Sequence, residues 1–231
     1  MKNFEELGLS GGLIKGLAEM NITKPTDIQL KVIPLLLEGK TDIVGQAQTG
    51  TGKTAAYGLP LLEQIDTNVN AVQGLILCPT RELGQQVAKQ LFKFTKYTPK
   101  VFIEAVYGGE GIEKQISSLQ RPTHIVVATP GRLIDLVKRK AVDLRNVKTV
   151  ILDEADEMLS MGFKKELDEI LGFLHSVENK WLFSATIPAG IKDIINKHMS
   201  KDAHRVVVNP KNVVNTKITH QFLICDDKDK L

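Results

Sequence analysis

Short apolar runs alternate with amphipathic stretches along most of the chain. Seven runs of four to six residues have the length and aliphatic content of buried strands: 42–45, 74–78, 101–106, 124–128, 149–152, 180–183 and 205–208. Eight stretches carry apolar residues at helical spacing: 10–20, 26–37, 53–65, 81–97, 112–119, 131–139, 164–174 and 191–199. Strands that are apolar throughout and are joined by helices belong to parallel sheets covered on both faces. The pattern therefore predicts an α/β fold, doubly wound around a mainly parallel sheet.

Polar and glycine-containing clusters follow the ends of six predicted strands. These clusters are Gly45, Pro79–Arg81, Gly108–Gly109, Thr129–Arg132, Asp153–Glu154 and Ser184–Thr186. In doubly wound sheets, ligands bind beyond the carboxyl ends of the strands, so all six clusters would share one edge. Packing alone does not explain such clusters at six strand ends, and we expect this edge to be functional.

The most specific chemistry lies between the first predicted strand and the following helix. The segment comprises Ala47, Gln48, Thr49, Gly50, Thr51, Gly52, Lys53 and Thr54. Its glycines let successive N–H groups point into one concavity, and the helix N-terminus reinforces this anion site. Lys53 would reach the β- and γ-phosphates of a nucleotide, and the Thr54 hydroxyl would bind Mg²⁺. The alternative is a glycine turn that caps a helix, which does not explain the order Gly52, Lys53, Thr54.

Two adjacent carboxylates follow the predicted strand 149–152. Asp153 is placed as an acidic Mg²⁺ ligand opposite a phosphate loop should be, and Glu154 can orient or deprotonate an attacking water. The alternative is that both residues simply begin a helix, where acidic side chains complement the dipole. The presence of the loop favours the functional interpretation, because the pair supplies the carboxylate that the loop lacks.

Composition narrows the class of protein without identifying a ligand. The chain has 231 residues, 42% hydrophobic and 25% charged, which suits one large globular domain. Lys plus Arg exceed Asp plus Glu by 30 to 27, so any basic groove for a polyanion must be local. Cys78 and Cys225 have neither metal-ligand nor redox spacing, and no signal core or bilayer-length apolar run occurs. We predict a cytoplasmic protein that has no membrane partner.

Five segments occur in the order seen in the DEAD-box RNA helicase family, and the chain resembles the N-terminal RecA-like domain of that family. They are Ala47–Thr54, Pro79–Leu83, Thr129–Arg132, Asp153–Asp156 and Ser184–Thr186. Ala47, which stands where the usual phosphate loop begins with glycine, fits the version in this family. The resemblance covers Phe4 to about Val208 and implies a RecA-like P-loop domain that uses ATP and Mg²⁺.

The resemblance also implies an adenine-reading segment upstream of the loop. Gln29 would bond the Hoogsteen edge of adenine with its amide, Phe4 would stack on the base, and Lys24 and Thr26 belong to the same segment. The alternatives are a glutamine on a helix surface and a phenylalanine in a small core. Asn21 stands where the segment usually opens with glycine, a tolerable departure because Asn accepts positive φ.

The resemblance assigns the remaining strand-end residues to RNA and to coupling. The residues implied to line an RNA path are Pro79, Thr80, Arg81, Gly108, Gly109, Thr129, Pro130, Gly131 and Arg132. Contacts of this kind hold phosphates without reading bases, so binding to a single strand or short duplex would be sequence-independent. Thr80 and Thr129 can also cap the helices that follow them. Ser184 and Thr186 would link nucleotide state to strand separation by bridging Asp153 or Asp156.

The implied domain plan divides the chain near residue 209. Residues 1–209 would form the ATP-binding domain, and residues 210–231 a linker and the truncated start of a second RecA-like domain, with a strand at 218–225. Beyond Thr186 the only arginine is Arg205. We therefore expect this chain, as a monomer, to bind nucleotide but to be a poor ATPase and no helicase alone. The full-length protein would couple ATP hydrolysis to RNA unwinding. The alternatives are another P-loop nucleic-acid ATPase and a non-enzymatic RNA- or protein-binding module.

Overall fold

Seven parallel strands form a single sheet in the computed structural model, which describes residues 3–39, 41–174 and 176–208. They are β1 (Ile43–Gln46), β2 (Gly74–Leu77), β3 (Ile103–Val106), β4 (Ile125–Ala128), β5 (Thr149–Leu152), β6 (Asn179–Ser184) and β7 (His204–Val207). Their order is β3-β4-β2-β5-β6-β1-β7, and every neighbouring pair is parallel. All seven predicted strands are present, and the predicted doubly wound α/β fold is confirmed.

The central strands are apolar throughout because both faces of the sheet are covered. Every residue of β2, β4 and β5 is buried. Along β2, Ile76 belongs to one hydrophobic core, while Leu75 and Leu77 belong to the other. Alternate residues of a strand point to opposite faces, so one short apolar run serves two cores.

Nine helices flank the sheet in the described part of the chain. They are α1 (Gly11–Glu19), α2 (Asp27–Leu37), α3 (Lys53–Glu63), α4 (Arg81–Phe94), α5 (Ile112–Leu119), α6 (Pro130–Lys138), α7 (Ala155–Ser160), α8 (Lys164–Phe173) and α9 (Ala189–His198). Eight of them match predicted helices. The sequence analysis missed α7, a helix of six residues that lies between Asp153–Glu154 and α8.

The strand order divides the functional edge into two halves. Strands β5, β6 and β1 are consecutive neighbours, and they end at Asp153, at Ser184 and at the phosphate-loop segment. Strands β3, β4 and β2 are also neighbours, and they end at the three clusters assigned to RNA. Because all strands are parallel, both halves lie at the same edge of the sheet, where the carboxyl ends of the strands meet. The chain order alone does not reveal this division.

Two predictions concern parts of the chain that the structure leaves untested. The linker at 210–231 and the strand at 218–225 lie outside the described residues. Within the described residues, no helix has both the length and the apolar character needed to cross a membrane.

Candidate functional site

The segment Ala47–Thr54 forms a loop whose shape depends on glycine. Gly50 and Gly52 have φ values of 76° and 90°, in the left-handed region that favours glycine. A Cβ on Gly52 would lie 2.4 Å from Gln29 Nε2. Position 52 therefore requires glycine both for its backbone conformation and for the close approach of Gln29. Gln48, Thr49 and Gly50 form the exposed rim of the loop.

Lys53 begins α3 directly after this loop and is buried despite its charge, with 6% exposure. Its Nζ donates a hydrogen bond of 3.1 Å to the carbonyl oxygen of Ala47. An ammonium group has three donors, so two remain for an anion after this bond closes the loop. The buried charge and the helix N-terminus together favour a phosphate group in the loop.

Asp153 lies at the end of β5 and is 2% exposed. Its Oδ2 accepts a hydrogen bond of 2.7 Å from the Tyr57 hydroxyl. Its Oδ1 is the one buried side-chain polar atom without a hydrogen-bond partner in the part of the chain that the structure describes. Burial raises the pKa of Asp153 to about 6, although the Tyr57 hydrogen bond and the charge of Lys53 act in the opposite direction. The Tyr57 hydroxyl thus joins the end of β5 to α3, the helix that Lys53 begins.

The unpaired oxygen of Asp153 fits a role in binding Mg²⁺. Mg²⁺ takes oxygen ligands and is commonly bound by one or two carboxylates together with nucleotide phosphates. Asp153 supplies such a carboxylate, and Thr54, the second residue of α3, supplies a hydroxyl. No cluster of three His, Cys, Asp or Glu side chains that could hold a metal exists among the described residues. A divalent ion here would therefore depend on phosphate oxygens and water for its other ligands.

Glu154 has φ and ψ of 52°, a left-handed conformation that is rare for a residue with a side chain. It is the residue that turns the chain from β5 into α7. Its carboxylate makes no hydrogen bond within the described residues. Backbone strain of this kind is often kept at functional sites.

Ser184 and Thr186 contact Asp156 and make no hydrogen bond to Asp153 within the described residues. The backbone N–H and the hydroxyl of Thr186 both donate to Asp156 Oδ2, at 2.9 and 2.8 Å. The Ser184 hydroxyl accepts from the Asp156 N–H at 3.2 Å and donates to the Thr186 carbonyl at 2.7 Å. Partial burial acts to raise the pKa of Asp156, but hydrogen bonds from Ser184 and Thr186 outweigh it and hold the pKa below its usual value. This network ties the end of β6 to the start of α7.

Gln29 lies beside the loop, where its amide is already partly used. Its Oε1 accepts from the Thr26 backbone N–H at 2.9 Å, and its Nε2 donates to the Gly52 carbonyl at 3.0 Å. Each amide atom keeps one further bonding position. Lys24 and Thr26 are exposed near this point, and Asn21 has φ of 57°, as its substitution for glycine predicted.

Phe4 is a buried residue in this structure. Its side chain is 4% exposed and packs in a core cluster with Leu7, Leu9 and Leu13. The stacking role of Phe4 stays a prediction, as does the adenine contact of Gln29, which is 3% exposed.

Arg81 and the Gly108–Gly109 loop meet in the other half of the edge. The Arg81 guanidinium lies over the ring of Tyr107, with Cζ 4.9 Å from the ring centroid. A Cβ on Gly109, whose φ is 81°, would lie 4.0 Å from Arg81 Nη1. This exposed arginine is held on an aromatic face and is available to a phosphate.

The two threonines of this half differ in how they use their hydroxyls. Thr80 caps α4, because its Oγ1 accepts from the Leu83 N–H at 3.2 Å. Thr129 precedes α6 without making a side-chain cap, and Pro130 takes the first helical position. Pro79 and Pro130 are buried, while Gly131 lies half-exposed on the first turn of α6.

Arg132, which was predicted to line the RNA path, uses two of its guanidinium donors within the domain. Its Nη1 donates to Gln115 Oε1 at 2.8 Å, and its Nη2 donates to the Glu110 carbonyl at 2.9 Å. Gln115, which is 4% exposed, also bonds the Tyr107 backbone through its Nε2 at 3.0 Å. Arg132 and Gln115 thus form a clasp that fixes the Gly108–Gly109 loop against α5 and α6.

Three residues of the site escaped the sequence analysis. Tyr57, Tyr107 and Gln115 each contact a predicted site residue or loop, but none lies in a segment with a phosphate-binding pattern. The helical spacing of Lys53 and Tyr57 is the single signal in the sequence that points to Tyr57.

A family model described as DEAD/DEAH box helicase matches residues 26–194. Over 230 residues the chain is 46% identical to the DEAD-box ATP-dependent RNA helicase CshA of Bacillus cereus, a match that covers 100% of this chain and 43% of the relative. The protein of the same name from Streptococcus pneumoniae is 44% identical over 227 residues, covering 98% and 43%. The chain therefore spans less than half the length of these curated relatives.

Solved structures show the same similarity. The crystal structure of a DEAD box protein from the hyperthermophile Methanococcus jannaschii superposes with a TM-score of 0.85 at 43% identity, covering 90% of this chain and 56% of that one. A hypothetical ATP-dependent RNA helicase from Sulfolobus tokodaii gives a TM-score of 0.79 at 36% identity, covering 87% and 57%. These matches agree with the resemblance carried by the five sequence segments.

Proposed function

The chain belongs to the DEAD/DEAH box helicase family, and from that premise we propose that it is the ATP-binding domain of an ATP-dependent RNA helicase. The observation that carries the proposal is the pairing of Asp153, at the end of β5, with α3, the helix that Lys53 begins, through the Tyr57 hydroxyl, while the other oxygen of the Asp153 carboxylate has no partner. This pairing supports a site for a triphosphate and its magnesium ion, beside a second group of residues suited to a nucleic-acid backbone.

In the nucleotide half, Lys53 and the loop N–H groups bind the β- and γ-phosphates of ATP. Thr54 and Asp153 hold Mg²⁺, which when bound neutralises charge that develops on the γ-phosphate. Glu154 orients or deprotonates the attacking water, a role that its unbonded carboxylate supports. Gln29 contacts adenine with the bonding positions that it does not spend on Thr26 and Gly52.

In the RNA half, the strand backbone is held without readout of its bases. Arg81, backbone N–H groups near Gly108–Gly109 and the hydroxyl of Thr129 contact phosphates, while Arg132 keeps the glycine loop in place. Ser184 and Thr186, through Asp156, relay the state of the nucleotide to the rest of the protein. Binding is therefore sequence-independent.

Hydrolysis and strand separation need groups from outside this chain. Among P-loop enzymes an arginine that stabilises the transferring phosphoryl group contributes about 10³–10⁵ in turnover. Arg205, the only arginine after Thr186, lies in β7. We propose that residues 1–209 bind nucleotide, that residues 210–231 lead into a second RecA-like domain, and that this second domain provides the arginines. A monomeric chain of residues 1–231 then hydrolyses ATP slowly and does not unwind duplexes.

The test compares ATPase and strand-displacement activities of the purified chain with and without an added second domain. We expect Mg²⁺-dependent ATP binding by the chain alone, and RNA-stimulated turnover only when the second domain is present. Lys53→Ala should weaken nucleotide binding by about 10- to 100-fold, while Lys165→Ala, which replaces an exposed lysine on α8, serves as the matched control. Efficient RNA-stimulated turnover by the chain alone would contradict the proposal. RNA binding that stays indifferent to nucleotide and to Lys53→Ala even after the second domain is added would instead indicate a non-enzymatic module.

A further inference from the structure

The first two turns of α3 carry three polar side chains of the nucleotide half. Lys53 and Thr54 begin the helix, and Tyr57 follows Lys53 by one helical turn on the same face. Tyr57 is completely buried, and its ring packs against Phe183 of β6 with centroids 5.2 Å apart. The position of its hydroxyl is therefore fixed by the core on which the loop is built.

The Tyr57 hydroxyl occupies one of the two oxygens of Asp153. It donates to Oδ2 at 2.7 Å, and Oδ1 alone is left without a partner. We propose that Tyr57 is a positioning residue that makes Asp153 a one-oxygen metal ligand, so that the site favours Mg²⁺ over Ca²⁺. This inference rests on the proposed function, because it requires Asp153 to bind the nucleotide-associated metal.

The selectivity follows from the different ligand requirements of the two ions. Mg²⁺ is small and demands near-octahedral geometry with single oxygens at about 2.0–2.1 Å. Ca²⁺ takes more ligands, at about 2.3–2.6 Å, and readily accepts both oxygens of one carboxylate. A hydroxyl that is hydrogen-bonded to Oδ2 disfavours binding of a metal ion by both oxygens of Asp153. It does not hinder binding through Oδ1 alone.

Tyr57→Phe removes this hydroxyl while the ring and its packing remain. The experiment titrates MgCl₂ and, separately, CaCl₂ into the 231-residue chain with a fluorescent ATP analogue, and measures the half-saturating metal concentration that supports nucleotide binding. Loss of a group that orients a metal ligand typically weakens metal binding by about 10–100-fold. We expect the half-saturating Mg²⁺ concentration to rise by about tenfold, in keeping with that range, and the Ca²⁺ concentration to change less. The preference for Mg²⁺ over Ca²⁺ should therefore shrink.

Two further variants make the result specific. Tyr97→Phe removes a tyrosine hydroxyl that bonds Glu19, far from the loop, and should leave both titrations unchanged. Because each preference is a ratio measured on one sample, a fraction of misfolded protein does not alter it. An unchanged ratio in Tyr57→Phe would overturn the inference.

Asp153→Asn separates failure of this inference from failure of the proposed function. If Asp153→Asn loses metal-supported binding while Tyr57→Phe keeps the normal preference, the inference alone is wrong. If Asp153→Asn keeps metal-supported binding, the proposed role of Asp153 in binding the metal is wrong, and the inference fails with it.

Discussion

Gln29 makes two hydrogen bonds within its own domain, to Thr26 and to Gly52, and retains one donor and one acceptor position. These bonds hold the amide in place before any ligand arrives. A preorganised amide can contact adenine N6 and N7 without losing further side-chain entropy on binding. The same side chain thus supports the phosphate loop and is available to read the base.

Gln29→Ala should weaken the binding of ATP more than the binding of GTP. The lost bond to Gly52 loosens the loop for both nucleotides, whereas the lost adenine contacts affect ATP alone. With hydrogen bonds worth about 0.5–1.5 kcal/mol each, we expect a decrease of about tenfold for ATP and about threefold for GTP. Binding titrations of both nucleotides check this. Equal losses would mean that Gln29 acts through the loop and does not read the base.

Asp153 gives the stability of the domain a specific dependence on pH. Burial, the largest cause, raises its pKa from 3.8 to about 6. The folded state therefore holds this proton more tightly than the unfolded state, and stability falls as pH rises between these values. Above about pH 6, the difference between the two pKa values lowers the free energy of unfolding by about 3 kcal/mol. This cost shrinks as the pH falls below 6 and is absent below about pH 3.

Asp153→Asn should remove this cost. Urea unfolding at pH 7 should show a higher free energy of unfolding for the variant than for the parent chain, by up to about 3 kcal/mol. Below about pH 3 the advantage should disappear, because the parent carboxyl is then largely protonated in both states. A stability difference that does not change with pH would show that the ionisation of Asp153 is not its cause.

The role of a single residue could be predicted from the sequence where its neighbours along the chain determine its environment. The order Gly52, Lys53, Thr54 after a strand predicts a phosphate loop, and the loop in the structure has the required glycine conformations. The Tyr57 contact could not be predicted, because it joins residues that lie 96 positions apart. Phe4 was assigned to the base by the family resemblance alone, since the sequence around an isolated aromatic is equally compatible with a position in a core.

At the scale of elements, the seven strands were predictable because each lies in a short, largely apolar run, although β3 contains Glu104 and β7 begins with His204 and Arg205. Helix α7 was not, because six residues provide too few apolar positions for a helical period and the helix begins at a left-handed residue, Glu154. The pairing of α5 with α6 was also hidden, because it depends on Arg132 and Gln115 meeting across 17 residues. Long segments with a regular apolar period can be predicted from the sequence, whereas side-chain contacts between separate segments cannot.

The clasp between α5 and α6 predicts that a residue remote from RNA affects RNA binding. Gln115→Ala would remove the partner of Arg132 Nη1 and of the Tyr107 carbonyl, at a cost of about 1–3 kcal/mol in stability. The Gly108–Gly109 loop would lose its fixed position, so RNA affinity should fall several-fold while ATP affinity stays unchanged. RNA and nucleotide titrations measure both. Gln120→Ala, at the exposed end of α5, is the matched control.

If Gln115→Ala lowers the melting temperature but leaves RNA affinity unchanged, the clasp is structural only. Gln115→Glu separates the two contacts of Gln115, because its carboxylate keeps the acceptor for Arg132 but loses the donor to the Tyr107 carbonyl. We expect partial recovery of RNA affinity in that variant. This outcome would assign most of the effect to the position of Arg132.

At the scale of the whole molecule, the predicted family and RecA-like fold are confirmed by the family match and by the solved structures. The prediction that six clusters share one edge is also met by the parallel sheet. The division of these clusters into two halves was not predicted, because the order of strands in a sheet depends on pairing between segments that are distant in the chain. The nucleotide half follows β5, β6 and β1, and the RNA half follows β3, β4 and β2.

This division predicts that the two halves act independently within the isolated chain. Lys53 follows β1 and Arg81 follows β2. These two strands lie three strand spacings apart in the sheet, or about 14 Å at about 4.8 Å per strand. Within the described residues, no side-chain hydrogen bond joins the two halves. Substitutions at such a distance without shared partners usually have additive effects.

Lys53→Ala should therefore weaken ATP binding by about 10- to 100-fold, as expected for a lost charged hydrogen bond, without changing RNA affinity. Arg81→Ala should weaken RNA binding and reduce its salt dependence by about one unit of logarithmic slope, without changing ATP affinity. The double variant should combine both losses, measured by titration of each ligand in the presence and absence of the other. A tenfold effect of ATP on RNA affinity in this chain would contradict independence. The reason is thermodynamic: two sites couple only if some element changes its equilibrium when either ligand binds, and the proposed relay through Ser184, Thr186 and Asp156 lies wholly in the nucleotide half.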